Sequence, residues 1–64
     1  MEKFNQFLGK NYYEVYDDLQ DVAVEKGLHT CLIEDDLDYN IDYDSLRIKI
    51  FTNSYNIIVK IKKG

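Results

Sequence analysis

Residues 46–51 decide the fold, with the sequence Leu46-Arg47-Ile48-Lys49-Ile50-Phe51, in which apolar and basic side chains alternate. Successive side chains of a β-strand point to opposite faces, so this alternation predicts a strand with one buried face. The next residues, Thr52-Asn53-Ser54-Tyr55-Asn56, have the polar composition of a turn, and Ile57-Ile58-Val59-Lys60-Ile61 follows as another strand. We therefore predict a hairpin over residues 46–61.

A further strand and a helix are predicted on the N-terminal side of this hairpin. The apolar run Thr30-Cys31-Leu32-Ile33 is short and indicates a buried strand. A helix is predicted over about residues 12–25, because apolar residues recur there at spacings of three and four, namely Tyr12, Val15, Tyr16, Leu19, Val22 and Ala23. Asn11 is the predicted N-cap, with Glu14 completing a capping box, and Gly27 is predicted to end the helix.

The whole sequence has room for one small domain. It contains 64 residues, and a chain of that length buries only about 60% of the surface that it exposes when unfolded. Hydrophobic residues make up 45% of the chain and proline is absent, which is typical of a folded domain. The predicted order is helix, strand, long loop, strand, turn and strand. We therefore expect residues 1–64 to form a single α+β domain with one α-helix packed on a small sheet.

The sequence lacks the residue sets on which enzymes, metal sites and membrane proteins depend. Cys31 is the only cysteine, so no internal disulfide can form, and His29 has no second ligand nearby that would make a metal site. We find no catalytic constellation, and we predict a protein that is not an enzyme and uses no metal or cofactor. The first residues do not show the charged and apolar regions that a signal peptide would have, and no run of about 18 apolar residues occurs. We expect a cytoplasmic protein without membrane contact, with secretion of a trimmed mature form left open.

Charge is divided unevenly along the chain. Residues 1–46 hold all twelve acidic residues and three lysines, whereas residues 47–64 hold five basic residues and no acid. Six of the acidic residues fall between Glu34 and Asp44. The three lysines near the C-terminal end, set beside so acidic a region, make too weak a basic patch for us to expect nucleic-acid binding.

The acidic residues lie in a long polar stretch, from Glu34 to Ser45, between two of the predicted strands. A loop of this length in so small a domain usually has a function, because its ordering adds little to the core. Its apolar residues alternate with polar ones, which suggests an extended backbone; they are Leu37, Tyr39, Ile41 and Tyr43.

Four short motifs follow one another along the chain. They are Leu8-Gly9-Lys10, Asn40-Ile41-Asp42, Arg47-Ile48-Lys49-Ile50-Phe51 with the nearby Asn53, and Gly64. In this order they resemble the potato inhibitor I family of serine-protease inhibitors, its eglin-like members in particular, and also the short microbial inhibitors of the same fold. The resemblance covers roughly residues 7–64, and it runs without a gap from Thr30 to Asn53.

The resemblance implies both a fold and a site. Members of this family present one exposed loop, which joins two parallel strands of a mixed sheet, to a protease in the manner of a substrate. Here the loop would be residues 36–45 and the reactive bond Ile41–Asp42. Ile41 would fill the primary specificity pocket, with Tyr39 and Asn40 on the acyl side and Tyr43 on the leaving side. The implied partner is a subtilisin-, chymotrypsin- or elastase-like serine protease, bound by a monomer.

Two basic residues stand where the family has the side chains that support this loop. They are Arg47 and Lys49, and the resemblance implies Asp42 and Asn40 as their partners. Residues two apart on a strand project to the same face, so a loop folded over that face brings Asp42 within reach of both cations. A loop ordered before binding avoids the entropy cost that a flexible substrate meets. A second interpretation is that Arg47 and Lys49 are ordinary exposed strand residues.

The acidic loop is also compatible with two functions of a different class. It could serve a non-inhibitory interaction module that binds a basic partner, or a nucleic-acid mimic that blocks a DNA-binding protein. Ionic strength separates these from inhibition. Binding through the acidic residues weakens steeply with salt, whereas substrate-like binding depends mainly on Ile41.

Overall fold

The computed structural model describes residues 2–34 and 42–64, which form two helices and a three-stranded sheet. The elements, in chain order, are α1 (Glu2–Asn5), α2 (Tyr16–Glu25), β1 (His29–Glu34), β2 (Arg47–Thr52) and β3 (Ile58–Lys63). The strand order is β1-β2-β3, with β1 parallel and β3 antiparallel to β2. The predicted α+β class and mixed sheet are confirmed, and so is the hairpin.

The central strand β2 contributes to two different buried regions. Ile48 and Ile50 belong to a cluster that also contains Leu19 and Ala23 of α2 and Ile58 of β3. Because side chains alternate along a strand, the odd-numbered residues of β2 project from the other face of the sheet. Those residues are Arg47, Lys49 and Phe51, and they are paired across the sheet with His29, Cys31 and Ile33 of β1. Cys31, expected in the core, is half-buried on this second face and has a free thiol.

The main helix begins later than the sequence predicts. It starts at Tyr16, its N-cap is Val15, and no side chain caps it, so the predicted capping by Asn11 and Glu14 is wrong. Asn11 instead accepts a hydrogen bond at Oδ1 from the Tyr13 amide at 2.9 Å, within a turn that precedes the helix.

Tertiary hydrogen bonds position the segment that precedes α2. The Gly9 amide donates to the Ile58 carbonyl at 2.8 Å, the Ile58 amide donates to the Lys10 carbonyl at 2.9 Å, and the Tyr12 amide donates to the Asn56 carbonyl at 2.8 Å. Residues 9–12 therefore lie alongside the start of β3. Asn11 forms an isolated antiparallel bridge with Ile57, and its carbonyl accepts hydrogen bonds from the Glu14 and Val15 amides in the turn that precedes α2.

The hairpin turn owes its shape to two asparagines. Asn53 accepts hydrogen bonds at Oδ1 from the amides of Tyr55 and Ile57, at 2.9 and 3.1 Å. Asn56 has φ of 64°, in the left-handed region that asparagine tolerates better than most residues. β3 consequently begins at Ile58 and continues to Lys63, beyond the predicted end at Ile61.

Candidate functional site

The structure describes only part of the predicted site. Three of its residues lie outside the described ranges, namely Tyr39, Asn40 and Ile41. Asp42 and Tyr43 belong to the segment that leads from the loop into β2, residues 42–46, which we call the exit segment. Both side chains are exposed, Tyr43 to 73%. Arg47 and Lys49 lie on β2 with their side chains on one face of the sheet.

Arg47 brings the exit segment and the end of β3 together. Its Nη2 donates hydrogen bonds to the main-chain carbonyl oxygen of Asp42 and, at 3.0 Å, to that of Gly64. Its Nε donates to the same Gly64 oxygen at 3.1 Å. Arg47 thus contacts Asp42, as the resemblance implies, but the contact is to the peptide group. The Asp42 carboxylate itself forms no ion pair with Arg47 in the described structure.

Gly64 is the common partner of this arrangement. Its amide donates to the Arg47 carbonyl at 2.8 Å, and its oxygen also accepts a 3.4 Å hydrogen bond from the Asp44 amide. Its φ of +113° is one that residues with a side chain rarely adopt, and a Cβ at this position would lie 3.0 Å from Cδ2 and Cε2 of Tyr43. Glycine therefore lets the chain come close to the exit segment.

Asp44 holds the exit segment with every polar atom that it has. Its Oδ1 accepts from the Leu46 amide at 2.9 Å, and its Oδ2 lies 3.0 Å from Nε2 of His29. Its carbonyl accepts from the Arg47 amide at 3.1 Å, and its own amide reaches Gly64. The pKa of the Asp44 carboxyl lies below its usual value. The largest cause is the hydrogen bond from the Leu46 amide, and the hydrogen bond from His29 is the next largest.

Lys49 is buried, only 8% exposed, so the interpretation of an ordinary exposed strand residue is wrong for it. Its ammonium lies 5.9 Å from the centroid of the Phe51 ring, and the Lys60 ammonium from β3 lies 4.4 Å from the same ring. Phe51 is completely buried although it projects from the face opposite α2. Asn40, the implied partner of Lys49, lies outside the described residues.

Sequence reasoning missed two of the residues that hold the exit segment. In the sequence, Asp44 was only one of six acidic residues in the loop region. Aspartate side chains do, however, often accept a hydrogen bond from the amide two residues further on, and this stabilises a turn. His29 was considered only as a candidate metal ligand, and the structure shows it exposed and bonded to Asp44. Gly64 belonged to the resemblance, but nothing in the pattern indicated that its carbonyl would accept from Arg47.

The arrangement of these contacts can restrain a peptide segment. Within residues 2–34 and 42–64, no group of three or more His, Cys, Asp and Glu side chains could hold a metal ion. No helix in the same part of the chain is long and apolar enough to cross a membrane. Comparison with protein-family models, with curated proteins and with solved structures finds no match.

Proposed function

We propose that the protein is a serine-protease inhibitor that binds a subtilisin-, chymotrypsin- or elastase-like enzyme in the manner of a substrate. The loop of residues 36–45 is its binding element and Ile41–Asp42 its reactive bond. Ile41 enters the primary pocket, flanked by Asn40 and Tyr39 on one side and Tyr43 on the other. In this proposal α2 packs on one face of the sheet, and Arg47 and Lys49 support the loop from the other.

The observation that carries the proposal is the contact between Arg47 and the Asp42 peptide group. Asp42 is the residue on the leaving side of the proposed bond, and its carbonyl accepts a hydrogen bond from a cation that is also bonded to Gly64. Hydrogen bonds from a charged donor are shorter and stronger than neutral ones. A segment held in this way keeps its position whether or not the bond before it is intact.

This restraint suits the chemistry of a reversible inhibitor. Attack by the protease serine on the Ile41 carbonyl carbon forms an ester and breaks the peptide bond, and the proton from the hydroxyl passes through the catalytic histidine to the Asp42 nitrogen. A free leaving segment would diffuse away and water would hydrolyse the ester. A restrained Asp42 amino group stays beside the ester, so the reverse reaction competes with hydrolysis.

Titration of a panel of proteases tests the proposal. We expect stoichiometric inhibition of subtilisin, chymotrypsin or elastase at micromolar protein, and we expect Ile41→Phe to move the preference towards chymotrypsin. Val24→Phe is the matched control, because it makes the same change at an exposed position on α2 and should leave the preference unaltered. Absence of inhibition of all three enzymes would contradict the proposal.

The uneven distribution of charge is also compatible with a second function, that of an acidic module which binds a basic partner. Six acidic residues fall between Glu34 and Asp44, and binding through them would lose affinity steeply as salt rises. Inhibition through Ile41 should change little between low and physiological ionic strength. A steep loss of inhibition with salt would favour the acidic module.

A further inference from the structure

His29 lies at the start of β1, and it contacts the exit segment at two points. Its amide donates to the Leu46 carbonyl at 2.8 Å, and its Nε2 lies 3.0 Å from Oδ2 of Asp44. An ionised carboxylate can only accept, so Nε2 carries the hydrogen in this contact. We call the side-chain hydrogen bond the His29–Asp44 tether.

The tether has consequences for the backbone because Asp44 is itself bonded to the chain around it. While Oδ2 faces His29, Oδ1 accepts from the Leu46 amide and the Asp44 amide reaches the Gly64 oxygen. Arg47 also lies near this pair: it is the register partner of His29, and its positive charge helps to lower the pKa of the Asp44 carboxyl. The tether therefore joins β1 to a segment that Arg47 holds from β2.

Asp44 lies two residues beyond Asp42, on the leaving side of the proposed reactive bond. Arg47 holds the first residue of that side, and the His29–Asp44 tether holds the third. Two attachments at different points restrict both the position and the direction of the segment.

We propose that His29 is a positioning residue for inhibition: by bonding Asp44 it keeps the leaving segment in place after the reactive bond is cut, so that the bond re-forms. This inference rests on the proposed function. When the bond re-forms, the Asp42 amino nitrogen attacks the ester carbonyl of Ile41, the ester to the protease serine breaks, and the proton returns to the serine oxygen. His29 touches none of the reacting atoms.

The test compares His29→Ala and His29→Gln with the parent chain. Glutamine keeps an N–H donor, so a positioning role predicts rescue by Gln and none by Ala. The matched control is Lys3→Ala, which removes an exposed side-chain contact, between Lys3 and Glu25 at 2.9 Å, far from the exit segment in sequence. Two quantities are measured: the rate at which subtilisin hydrolyses the inhibitor, and the hydrogen-exchange rate of the Leu46 amide in the free protein.

We expect His29→Ala to raise both rates about two- to fivefold, as expected for the loss of one exposed hydrogen bond, and His29→Gln to reverse most of that increase. Unchanged rates in His29→Ala, or a Gln variant as labile as the Ala variant, would overturn the role of His29. Failure of the parent to inhibit any protease would overturn the proposed function instead. In that case Leu46 exchange still decides whether the tether exists.

Discussion

The Asp42 peptide group, rather than the Asp42 side chain, is the point at which the loop meets its support. Arg47 donates to the main-chain carbonyl, a group that every residue at this position possesses. The side chain of Asp42 is exposed and is left available to a partner. The residue on the leaving side of the proposed reactive bond can thus vary without loss of the contact to Arg47.

This distinction predicts different effects for two substitutions. Arg47→Ala should raise the hydrolysis rate after Ile41 about tenfold or more, since a hydrogen bond to a charged group contributes about 1.5 to 3 kcal/mol. Asp42→Ala keeps the carbonyl and should raise that rate far less. Time courses with subtilisin, followed by mass spectrometry, measure both. An equal increase in hydrolysis rate in the two variants would mean that the Asp42 carboxylate, and not its carbonyl, is the partner of Arg47.

The lowered pKa of the Asp44 carboxyl indicates how the exit segment should respond to acid. The hydrogen bonds from Leu46 and His29 lower its pKa from an ordinary value of 3.8. A carboxyl whose pKa is lower in the folded state stabilises the fold above the unfolded pKa, and that stabilisation is lost as pH falls through the folded pKa. We expect NMR titration to show Asp44 protonating below pH 3.8, with Leu46 exchange rising in the same range.

A second carboxyl provides the control for this titration. Lys3 donates to Glu25 and lowers the pKa of that carboxyl as well. His29→Ala should move the pKa of Asp44 upwards and leave that of Glu25 unchanged, and Lys3→Ala should do the reverse. Coupled movement of both carboxyls in either variant would show a change in the whole fold instead of a local contact.

At the scale of elements, the sheet was more predictable than the helix. The alternation in residues 46–51 reports directly on which face of a strand is buried, and β2 occupies Arg47–Thr52, one residue from its predicted place. The start of α2 was predicted from Asn11 and Glu14, but residues 9, 10 and 12 form backbone hydrogen bonds with residues 56 and 58. A local pattern carries no information about such a distant partner.

Local sequence likewise predicted only some of the contacts at the site. The positions of Arg47 and Lys49 on one face follow from the strand period, and the sequence was sufficient for them. The contacts to Gly64 and Asp44 depend on how the end of β3 lies against the exit segment, which local sequence does not specify. The parallel arrangement of β1 and β2 entered through the resemblance and is confirmed.

Strand β2 also contains one polar group that weakens it. The Thr52 hydroxyl is buried, and it has no hydrogen-bond partner in the described part of the chain. A valine has the same shape without the hydroxyl, so Thr52→Val should raise the free energy of unfolding by about 1 kcal/mol. Chemical denaturation monitored by circular dichroism measures the change.

The control for this substitution lies on the neighbouring strand. The Thr30 hydroxyl accepts a hydrogen bond from Nε2 of Gln20 at 2.7 Å. Thr30→Val removes a satisfied group and should lower the free energy of unfolding by about 1 kcal/mol. Stabilisation by both substitutions, or by neither, would contradict this account of the two hydroxyls.

At the scale of the whole molecule, the 64 residues contain a single cysteine, so no internal disulfide can hold the proposed binding loop. Hydrogen bonds at the exit from the loop perform part of that task. They tie residues 42–46 to β1 through His29, to β2 through Arg47 and to the end of β3 through Gly64. All three strands therefore restrain the segment that follows the proposed reactive bond.

The most direct test of inhibition is a long incubation with a trace of subtilisin, with mass spectrometry used to locate any cut and to quantify the intact chain. Our account predicts one slow cut, between Ile41 and Asp42, which stops while intact protein is still present because the bond re-forms. The Arg47→Ala variant should be cut at the same bond and run to completion. Complete digestion of the parent chain, or a first cut at another bond, would contradict the account.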